Sequence, residues 1–279
     1  MTANLDASDE PGPDSSLTFV GTATTVLRLG RFTVLTDPNF LHRGERAYLG
    51  YGLSSRRQTE PMAIPDDLTG LDAVVLSHLH GDHFDRRARA QLPRGVPIAT
   101  TGPAERRLRK WGFTGATALD TWDSWTASRG DERLRVTAVP GRHGPRLLHR
   151  ALPPVMGSIL ELERGGRVQL RIYLTGDTLC GNYLRPIHER YPDIDAMVIH
   201  LGGTRIAGVL VTLDAEQGAD VVELIRPALT VPVHYDDYGV FTSSLSDFVD
   251  EMGRRGHAAL VQTVGRGGTV ELFSAAGSG

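Results

Sequence analysis

The segment SHLHGDHFD, residues 77–85, contains three histidines and two aspartates within nine positions. Imidazole and carboxylate groups are ligands that borderline and hard divalent cations prefer. Side chains two positions apart on a strand point the same way, so His78 and His80 can converge on one ion. The glycine that follows permits a sharp turn, after which Asp82 and His83 can face a second ion. The segment therefore predicts a metal site in preference to an ordinary polar turn.

One short segment cannot close a metal site, so ligands from other parts of the chain are required. Three candidates follow predicted strands, at the strand ends where α/β folds place their sites. They are His143 in VPGRHGP, Asp177 in YLTGDT and His234 in VPVHY. Each alone is more typical of a structural residue, but together with the first segment the donors suffice for two ions. Three histidines would hold one ion, an aspartate and two histidines the other, with a carboxylate between them.

The hydrophobic pattern predicts mixed sheets covered by helices, which favours a single-domain α/β protein with a four-layer αββα sandwich. Predicted strands include three runs within 17–38, a hairpin pair in GSILELER and QLRIYLTGD, buried runs at 72–78, 97–101, 196–203 and 229–235, and two final strands ending near 273. Predicted helices cover 85–92 with Asp85 as N-cap, 103–112, 212–227 with Asp214 as cap, and 244–256. Residues 39–61 lack a clean period and are predicted to form a long loop.

Composition restricts the class of protein. The chain has 279 residues, 40% of them hydrophobic, and a net charge of −3, which disfavours a nucleic-acid binder. Cys180 is the single cysteine, so no internal disulfide forms. The sequence has neither a signal peptide nor an apolar run long enough to cross a membrane. We expect a soluble cytoplasmic protein with a disordered segment at 1–16 and one domain at 17–279.

The motifs HLHGDH, GRHG, TGDT and PVHY, in that order, resemble those of the metallo-β-lactamase-fold hydrolases. The resemblance covers roughly residues 17–273. Within this superfamily, the TDP segment and the loop after it look like the branch that holds N-acylphosphatidylethanolamine phospholipase D and ascorbate-6-phosphate lactonase. The chain departs from that branch at GTAT, where Thr22 stands in place of the histidine of the frequent motif GHAT.

The resemblance implies a four-layer αββα fold and a role for each candidate ligand. His78, His80 and His143 would bind the first ion, Asp82, His83 and His234 the second, and Asp177 would bridge them. The implied cofactors are two divalent metal ions, zinc first, with Mn²⁺ or Fe²⁺ as alternatives. A hydroxide bridging the ions would be the nucleophile, since a bound divalent ion lowers the pKa of water to about 7. The expected activity is hydrolysis of a small ester-type substrate, a lactone or a phosphodiester.

Two further residues are candidates for supporting or catalytic roles. Asp37 either accepts a hydrogen bond from a ligand histidine or forms an Asx-turn before Pro38. His200 ends a predicted strand beside the site and either acts with Asp82 and Asp177 in catalysis, by contact with the substrate, or caps the loop. Cys180 is more typical of a small buried residue than of a nucleophile.

The predicted loop at 39–60 is rich in groups that suit an anionic substrate. Arginine side chains match phosphate and carboxylate geometry, and tyrosine adds apolar area. We therefore predict a lid, with Arg43, Arg46 and Tyr48 contacting the substrate. The alternative is a solvated loop whose arginines pair with surface acids. The other members of the set are Arg56, Arg57 and Tyr51.

Three other functions remain open at this point. A nucleic-acid-processing nuclease of the same superfamily would need a basic surface that the composition does not indicate. An iron-dependent redox enzyme would use the same types of ligand. A non-catalytic metal-binding protein would keep the ligands without the chemistry. The predicted partner is a small molecule, with no nucleic acid, and no oligomeric state is predicted.

Overall fold

The structure is a computed structural model that describes residues 15–50, 52–63, 70–145 and 152–272. Nearly all of the segment predicted to be disordered, and Tyr51, lie outside the described residues. In chain order the described strands are β1 (Ser16–Gly21), β2 (Thr24–Leu29), β3 (Phe32–Thr36), β4 (Arg46–Gly50), β5 (Leu53–Arg56), β6 (Ala73–Val75), β7 (Ile98–Thr100), β8 (Ala116–Ala118), β9 (Ser124–Arg129), β10 (Glu132–Pro140), β11 (Met156–Arg164), β12 (Arg167–Leu174), β13 (Ala196–His200), β14 (Arg205–Ile206), β15 (Val209–Leu210), β16 (Leu229–Val233) and β17 (Thr269–Glu271). The described helices are α1 (Arg86–Gln91), α2 (Gly102–Lys110), α3 (Arg185–Arg190), α4 (Ala215–Ile225) and α5 (Leu245–Arg254), with 3₁₀ turns at Asn182–Leu184 and Ala258–Leu260.

Two large sheets form the centre of the molecule. The first has the strand order β17-β1-β2-β3-β6-β7-β8, and the second has the order β16-β13-β12-β11-β10-β9. Strands β3, β6, β7 and β8 run parallel, as do β12, β13 and β16. The remaining pairs within both sheets are antiparallel, and two small hairpins, β4–β5 and β14–β15, lie outside them.

Alternation along the strands divides the apolar side chains between two cores. On β3, Phe32 and Val34 join the core between the sheets, where they meet residues of the second sheet such as Leu134. Leu35 points the other way and packs with Leu108 of α2. Each such leucine contributes about 1.5–3 kcal/mol when fully buried. Helices α4 and α5 cover the outer face of the second sheet, so the predicted four-layer αββα sandwich is confirmed.

The helix starts follow the predicted caps. The Asp85 carboxylate accepts hydrogen bonds from the backbone N–H groups of Arg87 and Ala88 at the start of α1. Asp214 caps α4 in the same way, and Ser244 forms a capping box at the start of α5. Each cap stabilises its helix by roughly 1 kcal/mol. The two predicted caps, Asp85 and Asp214, therefore mark the starts of α1 and α4, although the predicted helix 212–227 began three residues before α4.

Two expectations about secondary structure were wrong, and one hairpin was missed. Residues 39–61 are not a long loop, because β4 and β5 pair as an antiparallel hairpin within them. Of the two strands expected near the end, β17 is present, whereas 258–260 is a 3₁₀ turn followed by a single bridge from Val261 to Thr230. The hairpin β14–β15 was not predicted at all. Its turn residues Ala207 and Gly208 both have positive φ, as a tight hairpin requires.

Strand direction brings the candidate site together. The carboxyl ends of β3 and β6 lie at one edge of the first sheet, because these strands are parallel. Strands β10, β12, β13 and β16 end at one edge of the second sheet, since β10 and β12 are both antiparallel to β11. The segments that follow these six strands carry every predicted ligand. Among the described residues, no helix is long and apolar enough to cross a membrane.

Candidate metal centre

The seven predicted ligands form two adjacent groups at these strand ends. Within each group the ligand atoms lie within 4.8 Å of one another, and all of the side chains are buried. The first group is His78, His80 and His143; the second is Asp82, His83, Asp177 and His234. The structure therefore brings together every residue that the sequence proposed as a ligand.

Asp177 belongs to the second group, but it also faces the first. Its Oδ2 atom is 3.2 Å from His83 Nε2 of the second group and 4.0 Å from His78 Nε2 of the first. Its Oδ1 atom is 3.7 Å from His234 Nδ1. In the second group, Asp82 Oδ2 is 3.4 Å from His234 Nε2. A carboxylate in this position can contact ions held by either group.

Hydrogen bonds to the far nitrogen fix how the rings of His143 and His234 face the centre. His143 Nδ1 lies 2.9 Å from the carbonyl oxygen of Val211, and His234 Nδ1 lies 3.2 Å from that of Leu201. A carbonyl only accepts, so we assign a proton to Nδ1 of both rings, which leaves an Nε2 lone pair for a ligand. His78 and His80 turn different nitrogens toward each other, because His78 Nε2 lies 3.0 Å from His80 Nδ1.

Asp37 supports both groups at once. Its Oδ2 atom is 3.3 Å from His83 Nδ1. Its Oδ1 atom accepts hydrogen bonds from the backbone N–H and hydroxyl of Ser77, and the same hydroxyl oxygen is 3.0 Å from His78 Nδ1. Asp37 thus accepts long-range hydrogen bonds and orients ligand histidines, as the first of its two sequence interpretations proposed.

The histidines of the first group are held neutral. Burial lowers the pKa of His78 well below its ordinary value, and the neighbouring His83 and His80 add to the effect. Burial also lowers the pKa of His80, to about 4, and that of His143. Neutral imidazoles keep the lone pairs that metal binding needs.

The carboxylates of the second group are held ionised. Burial raises the pKa of Asp177, but the imidazoles of His234 and His83 outweigh it and bring that pKa well below the ordinary value. Conversely, burial lowers the pKa of His83 and His234, and the facing carboxylate of Asp177 more than reverses this, so both pKa values are raised. A divalent cation would compete with those protons for the same atoms.

Unpaired buried atoms show that the residues fit metal ions. His83 Nε2, Asp82 Oδ1 and Asp177 Oδ1 are buried without a hydrogen-bond partner. A buried polar atom without a partner costs about 1–3 kcal/mol, and more when charged. Imidazole nitrogens and carboxylate oxygens are the donor set of zinc and related divalent ions. Divalent ions bound between these side chains would satisfy such atoms.

A cavity of about 200 Å³ opens over the two groups and is bounded by His80, Asp82, His143 and Asp177. We call it the metal cavity. Its walls come from the two small hairpins that the sequence did not reveal, and from Val240. The wall residues include Leu49, Leu53, Ser54, Arg205, Ile206 and Val211. The β-branched run on both sides of Ala207–Gly208 was the available sequence signal for the second hairpin, and the pair of glycines at 50 and 52 was the signal for the first.

The other predicted site residues lie outside this cavity. His200 is buried behind the ligands, where Nε2 is 3.4 Å from Asp37 Oδ2 and Nδ1 is 3.2 Å from the Thr175 hydroxyl. Arg46 and Tyr48 line a neighbouring groove. Arg43 is exposed, and its backbone N–H donates to Glu60. The contacts of these residues with substrate stay predictions. The segment that was predicted to form a lid contains the β4–β5 hairpin.

Cys180 is placed as the sequence predicted, whereas Arg57 is not. Burial raises the pKa of the Cys180 thiol, which agrees with a structural residue. Arg57, taken as a loop arginine, is fully buried and forms an ion pair with Asp237 at 3.0 Å. The Arg57 guanidinium also donates to Asn39, whose side-chain amide donates to the carbonyl of Gly81 in the metal-binding segment.

Thr22, at the departure from the branch motif, acts through its backbone. Its carbonyl oxygen accepts a hydrogen bond of 2.8 Å from the backbone N–H of His234. Its own N–H donates to Asp237 at 2.7 Å. Thr22 therefore positions a candidate ligand without offering a ligand atom of its own.

The fold and the paired ligand groups agree with the sequence family. Residues 33–235 match the profile of the Beta-lactamase superfamily domain, so the chain belongs to that superfamily. The predicted membership of the metallo-β-lactamase-fold hydrolases is confirmed.

Individual relatives agree with this assignment. A metal-dependent hydrolase of Deinococcus radiodurans is 28% identical over 206 residues, which cover 72% of this chain and 80% of the relative. A possible metal-dependent hydrolase from Veillonella parvula shares the fold with a TM-score of 0.77 at 22% identity, over 93% of this chain and 100% of that chain. An isothiocyanate hydrolase from Delia radicum gut bacteria does so with a TM-score of 0.78 at 20% identity, over the same shares.

Proposed function

We propose that this protein is a binuclear metal-dependent hydrolase that cleaves an ester-type bond, a lactone or a phosphodiester, in a small substrate. The observation that carries the proposal is the pair of ligand groups joined by Asp177 beneath the metal cavity. Relatives that are described as metal-dependent hydrolases support the reaction class. The position of Asp177, within 4.0 Å of both His78 Nε2 and His83 Nε2, supports two ions in preference to one.

The first group would hold one ion through three histidines, and the second group would hold the other through Asp82, His83 and His234. Such donor sets suit zinc, and Mn²⁺ or Fe²⁺ are compatible with them. Bound divalent ions would supply a nucleophilic hydroxide at neutral pH and positive charge for the developing oxyanion.

The chain itself supplies orientation. Asp37 keeps the rings of His78 and His83 turned toward the centre, directly for His83 and through Ser77 for His78. The Val211 carbonyl does the same for His143. Because these contacts exist before a substrate arrives, the ligand geometry needs little rearrangement during turnover.

The walls of the metal cavity favour a neutral, partly apolar substrate. Leu49, Leu53, Ile206 and Val211 present hydrocarbon to the cavity. Arg205 is the cation among the cavity-lining residues of the described chain, and its guanidinium lies 3.5 Å from the Asp214 carboxylate, which partly neutralises it. An anionic group of the substrate that lies beyond the reach of the metal ions would meet no unpaired arginine on these walls, and burying it there would be costly. We therefore favour a lactone or another neutral ester over an anionic substrate.

The test is a rate assay on metal-loaded protein with a neutral lactone and an anionic phosphodiester of similar size. We expect faster turnover of the lactone, and a loss of at least about a hundredfold, ~2.7 kcal/mol of barrier, in Asp177→Ala. The control is Asp120→Ala, at an exposed aspartate away from the centre. Circular dichroism on the same preparations checks folding. Activity of Asp177→Ala within about tenfold of the wild type would contradict the bridging role.

A further inference from the structure

A second concavity, of about 370 Å³, lies on the other side of the metal-binding segment. It is lined by the β4 strand, the start of α1 and the side of α2. We define the basic groove by five of its residues: Arg46, Tyr48, Arg86, Arg107 and Trp111. None of these residues bounds the metal cavity.

The region around this groove has a charge opposite to that of the whole chain. Residues 86–110, which include α1 and α2, hold eight of the 30 Lys and Arg side chains and one of the 33 acidic residues. The chain as a whole carries a net charge of −3. One carboxylate also lines the groove: Asp85 is 4% exposed and accepts hydrogen bonds from four backbone N–H groups. Because positive charges that are gathered in a concave surface attract counter-ions, the three arginines of the groove still favour an anion.

Two of the groove cations have no acidic partner within the described ranges. The Arg46 side chain donates to the hydroxyl and carbonyl of Ser54 only. The Arg107 guanidinium lies 5.3 Å from the centre of the Trp111 ring and forms no ion pair with a described carboxylate. Arg86 pairs with Glu45, but it also donates to the Arg46 carbonyl and so lies beside the β4 strand.

The groove also offers aromatic surface. The Trp111 ring is half-buried, stacks on Phe84 with centroids 6.2 Å apart, and has Arg89 over its face at 4.5 Å. Tyr48 is 61% exposed. Arginines that are already stacked on an aromatic face keep their remaining N–H donors free for phosphate.

The wall between the groove and the metal cavity is closed by backbone packing. The Gly81 N–H donates to the Tyr48 carbonyl at 2.8 Å, and a Cβ at Gly81 would lie 2.6 Å from that same oxygen. Only glycine permits this approach. A ligand in the groove would therefore contact the outer side of the segment that carries His80 without reaching the metal centre.

We propose that the basic groove is a binding site for a phosphate ester that carries an aromatic or apolar group. The phosphate would contact Arg46, Arg86 and Arg107, and the apolar group would pack on Trp111 and Phe84. Charge-assisted hydrogen bonds from arginine are roughly twice as strong as neutral ones, and the guanidinium fork matches phosphate oxygens. The site does not depend on the proposed hydrolysis.

The experiment is a calorimetric titration of the metal-loaded protein with phenyl phosphate. Because phosphate also binds metal ions, the titration is repeated on Asp177→Ala. We expect a binding event that persists in Asp177→Ala and weakens about tenfold or more in Arg107→Ala and in Arg46→Ala. The matched control is Arg106→Ala, the adjacent exposed arginine on α2 that does not line the groove, and it should bind as the wild type does. Benzyl alcohol, which lacks the phosphate, should bind much more weakly.

Other outcomes overturn the assignment. Binding that is lost in Asp177→Ala and kept in Arg107→Ala would mean that the anion occupies the metal centre. Equal weakening by Arg106→Ala and Arg107→Ala would mean diffuse attraction without a site. A parallel titration with phosphatidylglycerol vesicles separates a free phosphate ester from a lipid headgroup. If the protein bound the vesicles but not phenyl phosphate, and Arg107→Ala weakened that binding, the groove would be assigned to a lipid headgroup. Absence of binding to phenyl phosphate and to vesicles would refute the proposal.

Discussion

The metal cavity and the basic groove are neighbours with opposite chemistry. Both are bounded by His80, yet one arginine lines the metal cavity, whereas three arginines and three aromatic rings line the groove. The difference arises within one hairpin. On β4, Leu49 lines the metal cavity, whereas Arg46, Ala47 and Tyr48 line the groove. A single strand thus separates a site suited to neutral substrates from a site suited to anions.

The comparison also bears on the arginine-rich segment. The sequence interpretation predicted that Arg43, Arg46 and Tyr48 contact an anionic substrate, and this contact stays a prediction. In the structure, Arg46 and Tyr48 line the basic groove, and none of the three residues lines the metal cavity. The anion-binding chemistry of Arg46 therefore fits the basic groove better than the metal cavity.

The largest expected effect concerns the buried ion pair between Arg57 and Asp237. Arg57→Ala would leave the buried Asp237 carboxylate without one of its two guanidinium partners and would remove the donor to Asn39. We expect the free energy of unfolding to fall by about 3–5 kcal/mol, as when one partner of a buried ion pair is removed. Denaturant unfolding measures it. The neighbouring exposed Arg56→Ala should change stability by less than about 0.5 kcal/mol, and equal effects of the two variants would show that the buried pair does not stabilise the fold.

A smaller effect, confined to the metal cavity, is expected from Asp37→Asn. The amide removes the charge that orients His83 and reaches His78 through Ser77. Metal affinity should fall about 10–100-fold, the usual cost of losing such a supporting partner. Competition with a chelator measures metal affinity. As a control for the groove, phenyl phosphate binding is compared between Asp177→Ala and the double variant that also carries Asp37→Asn. Unchanged metal affinity would assign Asp37 to a turn-forming role alone.

The smallest effect tests the apolar wall. Leu53→Asp would place a charge on the metal cavity, and kcat/KM for a neutral ester should fall about tenfold, ~1.4 kcal/mol. The matched control is Val168→Asp on β12, where the side chain is similarly exposed but does not line the cavity. A loss of the same size in both variants would point to general destabilisation. No loss in Leu53→Asp would remove the argument for a neutral substrate.

The ligands were predictable because their signals are local. His78, His80, Asp82 and His83 follow one another at fixed spacing, and each distant ligand follows a segment that is rich in β-branched and apolar residues, which predicts a strand. The helix caps were predictable for the same reason, since Asp85 precedes the helix that it caps.

The walls of the cavities were not predictable from local pattern. In β4 the buried residue is a small alanine, Ala47, between the exposed Arg46 and Tyr48, so hydrophobic alternation is weak. The burial of Arg57 depends on Asp237, which is 180 positions away. The direction of the Tyr48 side chain depends on the packing of β4 against Gly81. Such long-range contacts leave no local signature in the sequence.

The number of metal ions per chain tests the central claim most directly. Elemental analysis of protein that has been loaded with excess zinc and then desalted should give about two ions per chain, because the two ligand groups together offer more donors than one tetrahedral ion uses. The ratio should fall to about one in both Asp82→Ala and His234→Ala, which leave the first group intact. A ratio near one in the wild type that is unchanged in both variants would contradict the binuclear centre.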